Sequence, residues 1–332
     1  MKPKITYILY RKIRYSNLWF YYYQKEEKPM QLKELKYIVA LADEGSISRA
    51  AERLYMAQSS LSQFLLQYET ELGISLFVRT SKGIRPTAAG SMFIDNARII
   101  LGHYRLIQNK LDDMAQLKSG SIILGISSFR GKYMIPKILK QFYALYPNVN
   151  VEIIEANSKA LEEKLIDGTI DLAIIALPLS RLTHEVEIFK KDEILIVADS
   201  DHPIQKYAHP KDNGHGFWLD LKDAESYEFI LSPYDTMLGN ISRQEFKKAG
   251  IKFRAANTNI TADLAAAMAR AGLGLAFTYQ SCIEEYPHAS YFSIGQKGVF
   301  LELALAHPYA TYQSNAVKAM EKIIRETFPK EV

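Results

Sequence analysis

Residues 30–90 read MQLKELKYIVALADEGSISRAAERLYMAQSSLSQFLLQYETELGISLFVRTSKGIRPTAAG. In the opening block Leu32, Leu35, Tyr37, Ile38 and Leu41 form a helical apolar stripe. Gly45-Ser46 ends it, and Ser46 is placed to N-cap a short helix running through Leu54, in which Ala50 and Ala51 permit close packing. After Ala57, Leu61, Leu65, Tyr68 and Leu72 recur at spacings of four, three and four, so they face a core. Gln58, Ser59, Ser62, Gln63 and Gln67 fall on the outer side. The segment LFVRTSKGIRPT then predicts a hairpin turning at Ser81-Lys82-Gly83, with Thr87 set to N-cap a further helix. Two helices around a tight turn, followed by a basic hairpin, make a winged helix-turn-helix.

The outer residues suit a major groove. Short hydroxyls allow close approach to phosphates and thymine methyls, and a glutamine amide can grip adenine through two hydrogen bonds. Arg79, Lys82 and Arg85 on the wing are placed for phosphates, which position a protein without specifying sequence. The plain alternatives are an ordinary amphipathic helix with a solvated polar face and three unremarkable surface cations. Beyond the wing, Ala97, Ile100, Tyr104, Ile107, Leu111 and Met114 repeat at three, four, three, four and three. That heptad seam predicts a helix paired with its twin, against the alternative of a helix buried within one chain. Pairing is preferred because helix-turn-helix proteins usually read two half-sites.

Residues 30–90 resemble the DNA-binding domain of LysR-type transcriptional regulators. The matching elements are LKELKYIVALADEGSISRAAERL, AQSSLSQ, ETELGISLFVRT and the wing end RPTAAG. The remaining residues follow in the family's order. The resemblance implies double-stranded DNA as a partner, a dimer through the linker helix and a tetramer beyond it. It also implies a small-molecule co-inducer, and RNA polymerase as a further partner. One departure stands out. Many members carry arginine or paired basic residues in the recognition helix, where this chain has Gln63-Phe64-Leu65-Leu66. Base readout must then lean on Gln58, Ser59, Ser62 and Gln63, with Phe64 or Leu66 available to a thymine methyl.

From Gly120 the pattern changes to alternating strands and helices. SIILGIS, VNVEIIEA and TIDLAIIAL alternate with PKILKQFYALYP and SKALEEKLIDG, which argues for a mostly parallel sheet. A second set runs through EILIVAD, FILSP, a helix from Met237 to Ala249, IKFRAA, TADLAAAMARAG and LGLAFT. YFSI, FLELALAH and a terminal helix from Tyr312 to Phe328 return to the first set. The expected fold is α plus α/β. An extra segment fills residues 1–29, the winged helix-turn-helix 30–90 and the linker helix 91–119. A two-lobed, periplasmic-binding-protein-like effector domain fills 120–332, with lobe one at 120–180 and 288–332 and lobe two at 181–287. Two crossings between such lobes leave a cleft that can close on a ligand.

In open α/β sheets a ligand lies at the carboxyl ends of strands near helix N-termini. Ser127-Ser128-Phe129-Arg130 follows the first strand, and its hydroxyls, N–H groups and guanidinium suit a carboxylate or other small anion. The resemblance supports this loop as the inducer site, while the bland reading makes the serines helix caps. Thr236, Thr258, Asn259 and Thr261 precede lobe-two helices and are the candidates across the cleft.

Composition excludes more than it assigns. At 332 residues the chain suits two or three units, and 48% hydrophobic residues are ample for cores. The lone Cys282 rules out an internal disulfide framework and suits a reducing cytoplasm; a structural thiol is preferred to a redox sensor. The net charge of +4 is not evidence of nucleic-acid binding. Seven cations against Glu26 and Glu27 put +5 in residues 1–29 and leave −1 for the rest. In that segment the longest uncharged run, Tyr15 to Gln24, is about half a bilayer-spanning helix, and no small-residue export cleavage site appears. The expectation is a start assigned upstream of Met30, with an interfacial membrane anchor as the alternative. No HExxH, CxxC, GxSxG or phosphate-loop pattern occurs, and His202-Pro203 reads as a loop element. Asp167 and Asp171 around Gly168 read as turn chemistry rather than a catalytic pair. No catalytic residue, metal site or cofactor is therefore expected. A solute-binding protein with a degenerate helical N-terminus and an enzyme with an appended regulatory domain are the competing readings.

Overall fold

The computed structural model describes residues 30–114, 120–182, 186–212, 214–283, 286–308 and 312–329. The expectations for residues 1–29 lie outside the described residues. The chain divides into two compact units after Ala97.

In the first unit, α1 (Leu32–Glu44) opens with the Gln31 N–H donating to Glu34 and closes at Gly45, whose φ of 57° is left-handed. The Ser46 hydroxyl caps α2 (Ile47–Arg53) by accepting from the Arg49 N–H. After a turn, α3 (Gln58–Leu72) ends at Gly73, also left-handed. Leu61, Leu65 and Tyr68 of α3 pack with Ile38, Leu41, Ala50, Ala51, Leu76, Phe77, Ile84 and Ile94. Full burial of side chains such as Leu61 and Leu65 stabilises by about 1.5–3 kcal/mol each. The hairpin of β1 (Phe77–Thr80) and β2 (Gly83–Pro86) turns at Ser81-Lys82, since Thr80 pairs with Gly83.

Two contacts hold that hairpin. The Glu69 carboxylate accepts from the backbone N–H groups of Leu76 and Phe77. The Gly45 carbonyl accepts from the Ile84 N–H at 2.9 Å, and a Cβ on Gly83 would lie 2.2 Å from that same oxygen. Only glycine fits there. The Thr87 hydroxyl caps α4 (Ala88–Met114) by accepting from the Gly90 N–H at 2.9 Å.

In the second unit β3 (Gly120–Ile126), β4 (Val149–Glu155) and β5 (Leu172–Ala176) are parallel in the order 4-3-5. The helices α5 (Ser128–Leu145) and α6 (Ser158–Ile166) connect them. The long strand β6 (Val186–Asp199) follows, then β7 (His209–Pro210), β8 (Phe217–Leu219) and β9 (Glu228–Ile230). The chain continues through α7 (Met237–Ala249), β10 (Arg254–Asn257), α8 (Ala262–Arg270) and β11 (Leu275–Tyr279). It ends with β12 (Ala289–Ile294), β13 (Val299–Ala306) and α9 (Asn315–Thr327).

Strand β6 belongs to both lobes. Residues Val186 to Ile194 pair with β13, which also pairs with β5, and residues Ile194 to Asp199 pair with β11 and β12. The two crossings between lobes are therefore β6 and the step from β12 to β13. Strand β12 was expected in lobe one, yet it pairs with β8 and the far half of β6 and so lies in lobe two. Its sequence carries no sign of which lobe it joins, and only pairing decides that.

Candidate DNA-binding and effector sites

On α3 Leu61, Leu65 and Tyr68 face the core as the spacing predicts, whereas Leu72, expected with them, is 40% exposed in the last turn. Gln58, Ser59, Gln63 and Gln67 are exposed and Ser62 is partly so, while Leu61, Leu65 and Tyr68 are buried. The Gln67 amide donates to Glu71 at 2.8 Å, so its hydrogen-bonding capacity is partly used. Phe64 is not on the outer face. Its ring lies between Tyr37 (centroids 5.1 Å, edge-on) and Tyr68 (5.4 Å, stacked), which removes it from thymine contact and leaves Leu66, 68% exposed, on the surface. Arg79, Lys82 and Arg85 are exposed and make no ion pair among the described residues. The hairpin register sets Arg79 opposite Ile84 and Arg85 opposite Val78. The two guanidiniums thus leave opposite faces of the wing. Ser46 spends its hydroxyl on the α2 cap.

The part of α4 in the second unit has two distinct faces. Arg98 reaches Asp167 at 3.6 Å, and the Arg105 guanidinium donates to Asp171 (3.1 Å) and to the Gly168 carbonyl (2.7 Å). Gly102 lies so close that a Cβ would stand 2.7 Å from the Gly168 oxygen, and the Asn109 amide donates to the Ser121 carbonyl. Burial raises the Asp171 carboxyl above its ordinary range, against the opposing charge of Arg105. Asp167 accepts from the Thr169 N–H and Asp171 from the Ile123 N–H, so both are turn anchors that also seat the helix. The opposite face carries Ile100 (44% exposed), Tyr104, Ile107 (55%) and Leu111 (60%). These four residues are not buried within the chain, although Ala97 at the start of the seam is.

In the effector domain the loop after β3 leads into α5, with Ser128 exposed and Ser127 and Phe129 half-buried. The Ser127 hydroxyl makes no capping bond. Arg130, expected to offer its guanidinium to an anion, is 4% exposed, and its Nη2 is buried without a hydrogen-bond partner. Its Nε donates to Asp192 at 3.3 Å, and its guanidinium lies 3.7 Å from the Tyr279 ring centroid. Burial alone would lower the Arg130 pKa, and Tyr279 and Asp192 outweigh that and raise it. Asp192, fully buried in β6, also accepts from the N–H and hydroxyl of Ser281, which follows β11. One residue at the crossing strand thus ties α5 of lobe one to lobe two.

Across the cleft, Thr236 caps α7, accepting from the Gly239 N–H and donating to the Pro233 carbonyl, so its hydroxyl is engaged. Thr258, Asn259 and Thr261 are exposed. The Arg243 guanidinium donates to the carbonyls of Ser232 and Thr258 and so holds the loops before α7 and α8 together. The start of α8 meets the start of α5 directly, through Asp263 with Lys132 and Tyr133. Sequence reasoning had not singled out Asp192, Lys132 or Asp263. A charge among other charges reads as surface until its partner from a distant segment is known.

Cys282 is buried, and burial pushes its thiol pKa up to about 12, so no reactive thiolate forms there at neutral pH. His202 caps the turn Pro203–Tyr207 by accepting from the Ile204 N–H, and burial lowers its pKa. Among the described residues no group of His, Cys, Asp or Glu could hold a metal ion, and no helix is long and apolar enough to cross a membrane.

The described residues thus hold a winged helix-turn-helix, a helix with an exposed apolar seam and a two-lobed α/β domain. Residues 32–91 match the family model of the bacterial regulatory helix-turn-helix proteins of the lysR family, and residues 115–329 match the LysR substrate binding domain. The chain belongs to the LysR family, whose members regulate transcription and are not enzymes. It is 34% identical over 150 residues to an uncharacterized HTH-type transcriptional regulator, YcgK, of Bacillus subtilis (strain 168), covering 45% of this chain and 46% of that relative. To a probable RuBisCO transcriptional regulator of Thalassiosira pseudonana it is 28% identical over 269 residues, covering 77% and 83%. The chain spans about half the length of the first of these relatives. Among solved structures, full-length OxyR from Pseudomonas aeruginosa superposes with a TM-score of 0.63 at 23% identity, over 90% of this chain and 98% of that one. Full-length CbnR in complex with its target DNA superposes with 0.61 at 20% identity, over 90% and 100%. At these identities the structures establish the fold.

Proposed function

We propose that this chain binds a specific DNA operator as a dimer and regulates transcription in response to a small anionic molecule held between its lobes. The observation that carries this reading is the outer face of α3, where four uncharged polar side chains project over a closed apolar core beside an unpaired basic wing. Gln58, Ser59, Ser62 and Gln63 read base edges. Arg79, Lys82 and Arg85 neutralise phosphates, with Ser46 and Gln67 at the margins. A second copy covers Ile100, Tyr104, Ile107 and Leu111, and further pairing gives a tetramer. Ser127, Ser128 and Phe129 of lobe one, with Thr258, Asn259 and Thr261 of lobe two, surround the effector. Cytoplasm is the compartment, and RNA polymerase at the bound promoter is the further partner.

The test is genome-fragment enrichment with purified protein beginning at Met30. The expected result is an interrupted palindrome whose half-sites lie a helical turn or more apart. Absence of enrichment over random fragments at low salt, with a metabolite pool added, overturns the reading.

A further inference from the structure

Where α5 of lobe one meets α8 of lobe two, a carboxylate of one lobe already occupies a cationic seat on the other. Asp263 lies in the first turn of α8, and Lys132 and Tyr133 lie near the start of α5. Lys132 Nζ is 2.8 Å from Asp263 Oδ1, and the Tyr133 hydroxyl donates to the same oxygen at 3.0 Å. An ammonium and a phenol converging on one carboxylate oxygen form a receptor for a carboxylate, whichever molecule supplies it.

The deeper cation is not paired with a carboxylate at the surface. Arg130 Nε is held to Asp192, which is fully buried and receives two further hydrogen bonds from Ser281, while Arg130 Nη2 is buried without a hydrogen-bond partner. The pair between α5 and α8 differs, because the Lys132 and Asp263 side chains are 48% and 44% exposed. Half-exposed ion pairs are weakly held and exchange partners readily. Asp263 also tolerates release. In the first turn of a helix its charge is favoured by the helix dipole, and Arg270 acts on it from the same helix.

We propose that Lys132 and Tyr133 form a carboxylate-binding seat, filled by Asp263 when no effector is present and taken over by the carboxylate of an anionic effector. This rests on the reading of the cleft as an effector site and adds a direction to it. Once displaced, Asp263 faces a second negative charge, so effector entry loosens the contact between α5 and α8 rather than tightening it. Asp263 is then a built-in competitor that sets the effector concentration at which the protein responds.

The experiment uses the chain from Met30, with benzoate as a generic carboxylate probe, in titration calorimetry. The unaltered protein is compared with Asp263→Ala, Asp263→Asn and Asp263→Ala combined with Lys132→Ala. Circular dichroism establishes that each is folded. Asp263→Ala should bind benzoate about two- to sixfold more tightly than the unaltered protein, with Asp263→Asn between them. The gain should vanish in the double variant. Equal binding in the unaltered protein and Asp263→Ala overturns the proposal, as does a gain that survives loss of Lys132. DNA affinity measured on the same samples separates this from the broader reading. If benzoate fills the opened seat and DNA binding is unmoved, the seat stands and the regulatory role of the cleft falls.

Discussion

Gln58 and Arg79 lie on the same unit and are expected to fail in different ways. Gln58→Ala should relax the operator at one base position, costing about 1–3 kcal/mol there, and leave other positions alone. Arg79→Ala should weaken binding to every sequence and reduce the salt slope by about one phosphate contact. Fluorescence anisotropy on matched and scrambled duplexes over a salt series distinguishes the two patterns. Glu162 provides a residue-scale test of the effector domain. It is 2% exposed and accepts from the Ser180 hydroxyl and from the N–H groups of Ser180, Arg181 and Leu182. Burial alone would raise its pKa, but those hydrogen bonds prevail and hold it below the ordinary carboxylate range. A depressed folded-state pKa contributes stability above the unfolded value of about 4.3, and that contribution fades as pH falls through the folded value. Glu162→Gln should therefore lower the urea midpoint at pH 7, with the gap to the unaltered protein narrowing below pH 4.

At the scale of elements, α4 shows what a single sequence can disclose. Its heptad seam was legible because apolar residues at helical spacing need no partner to be noticed. Its other face was not, since Arg98, Gly102 and Arg105 acquire meaning only from the loop around Gly168. The same limit hid the length of β6. EILIVAD reads as a strand, but the preceding EVEIFKKD is too charged to continue one on local grounds. In the fold Asp192 is matched by Arg130 and Glu193 by Lys211 at 3.1 Å, partners contributed by remote segments. The two faces of α4 are separable by mutation. Ile107→Glu should leave the melting temperature nearly unchanged and shift sedimentation toward monomer, with operator affinity reduced more than tenfold. Gly102→Ala should instead destabilise the effector domain by about 1–3 kcal/mol, because its Cβ would press on a backbone oxygen. Thermal melts and analytical ultracentrifugation on both variants check the assignment.

For the whole molecule, residues 88–97 of α4 belong to the DNA-binding unit and residues 98–114 to the effector unit. A ligand can shift operator affinity only by its differential affinity for two arrangements, typically about 1–3 kcal/mol, or roughly 5- to 150-fold. Anisotropy titrations of an operator duplex with and without saturating effector should fall in that range. The reciprocal titration, effector binding with and without DNA, should give the same factor.

The Gly45–Gly83 contact carries a consequence for how new specificities arise. At this contact the wing meets the turn after α1 through backbone atoms, and no side chain of the reading face takes part. Nor do Gln58, Ser59, Ser62 and Gln63 contribute to the apolar core. Scaffold and message are thus written in separate positions. A library randomised at those four sites should yield proteins of near-uniform stability that differ in the DNA they choose. Both glycines must stay fixed throughout, so a lineage can change its operator without passing through an unfolded ancestor.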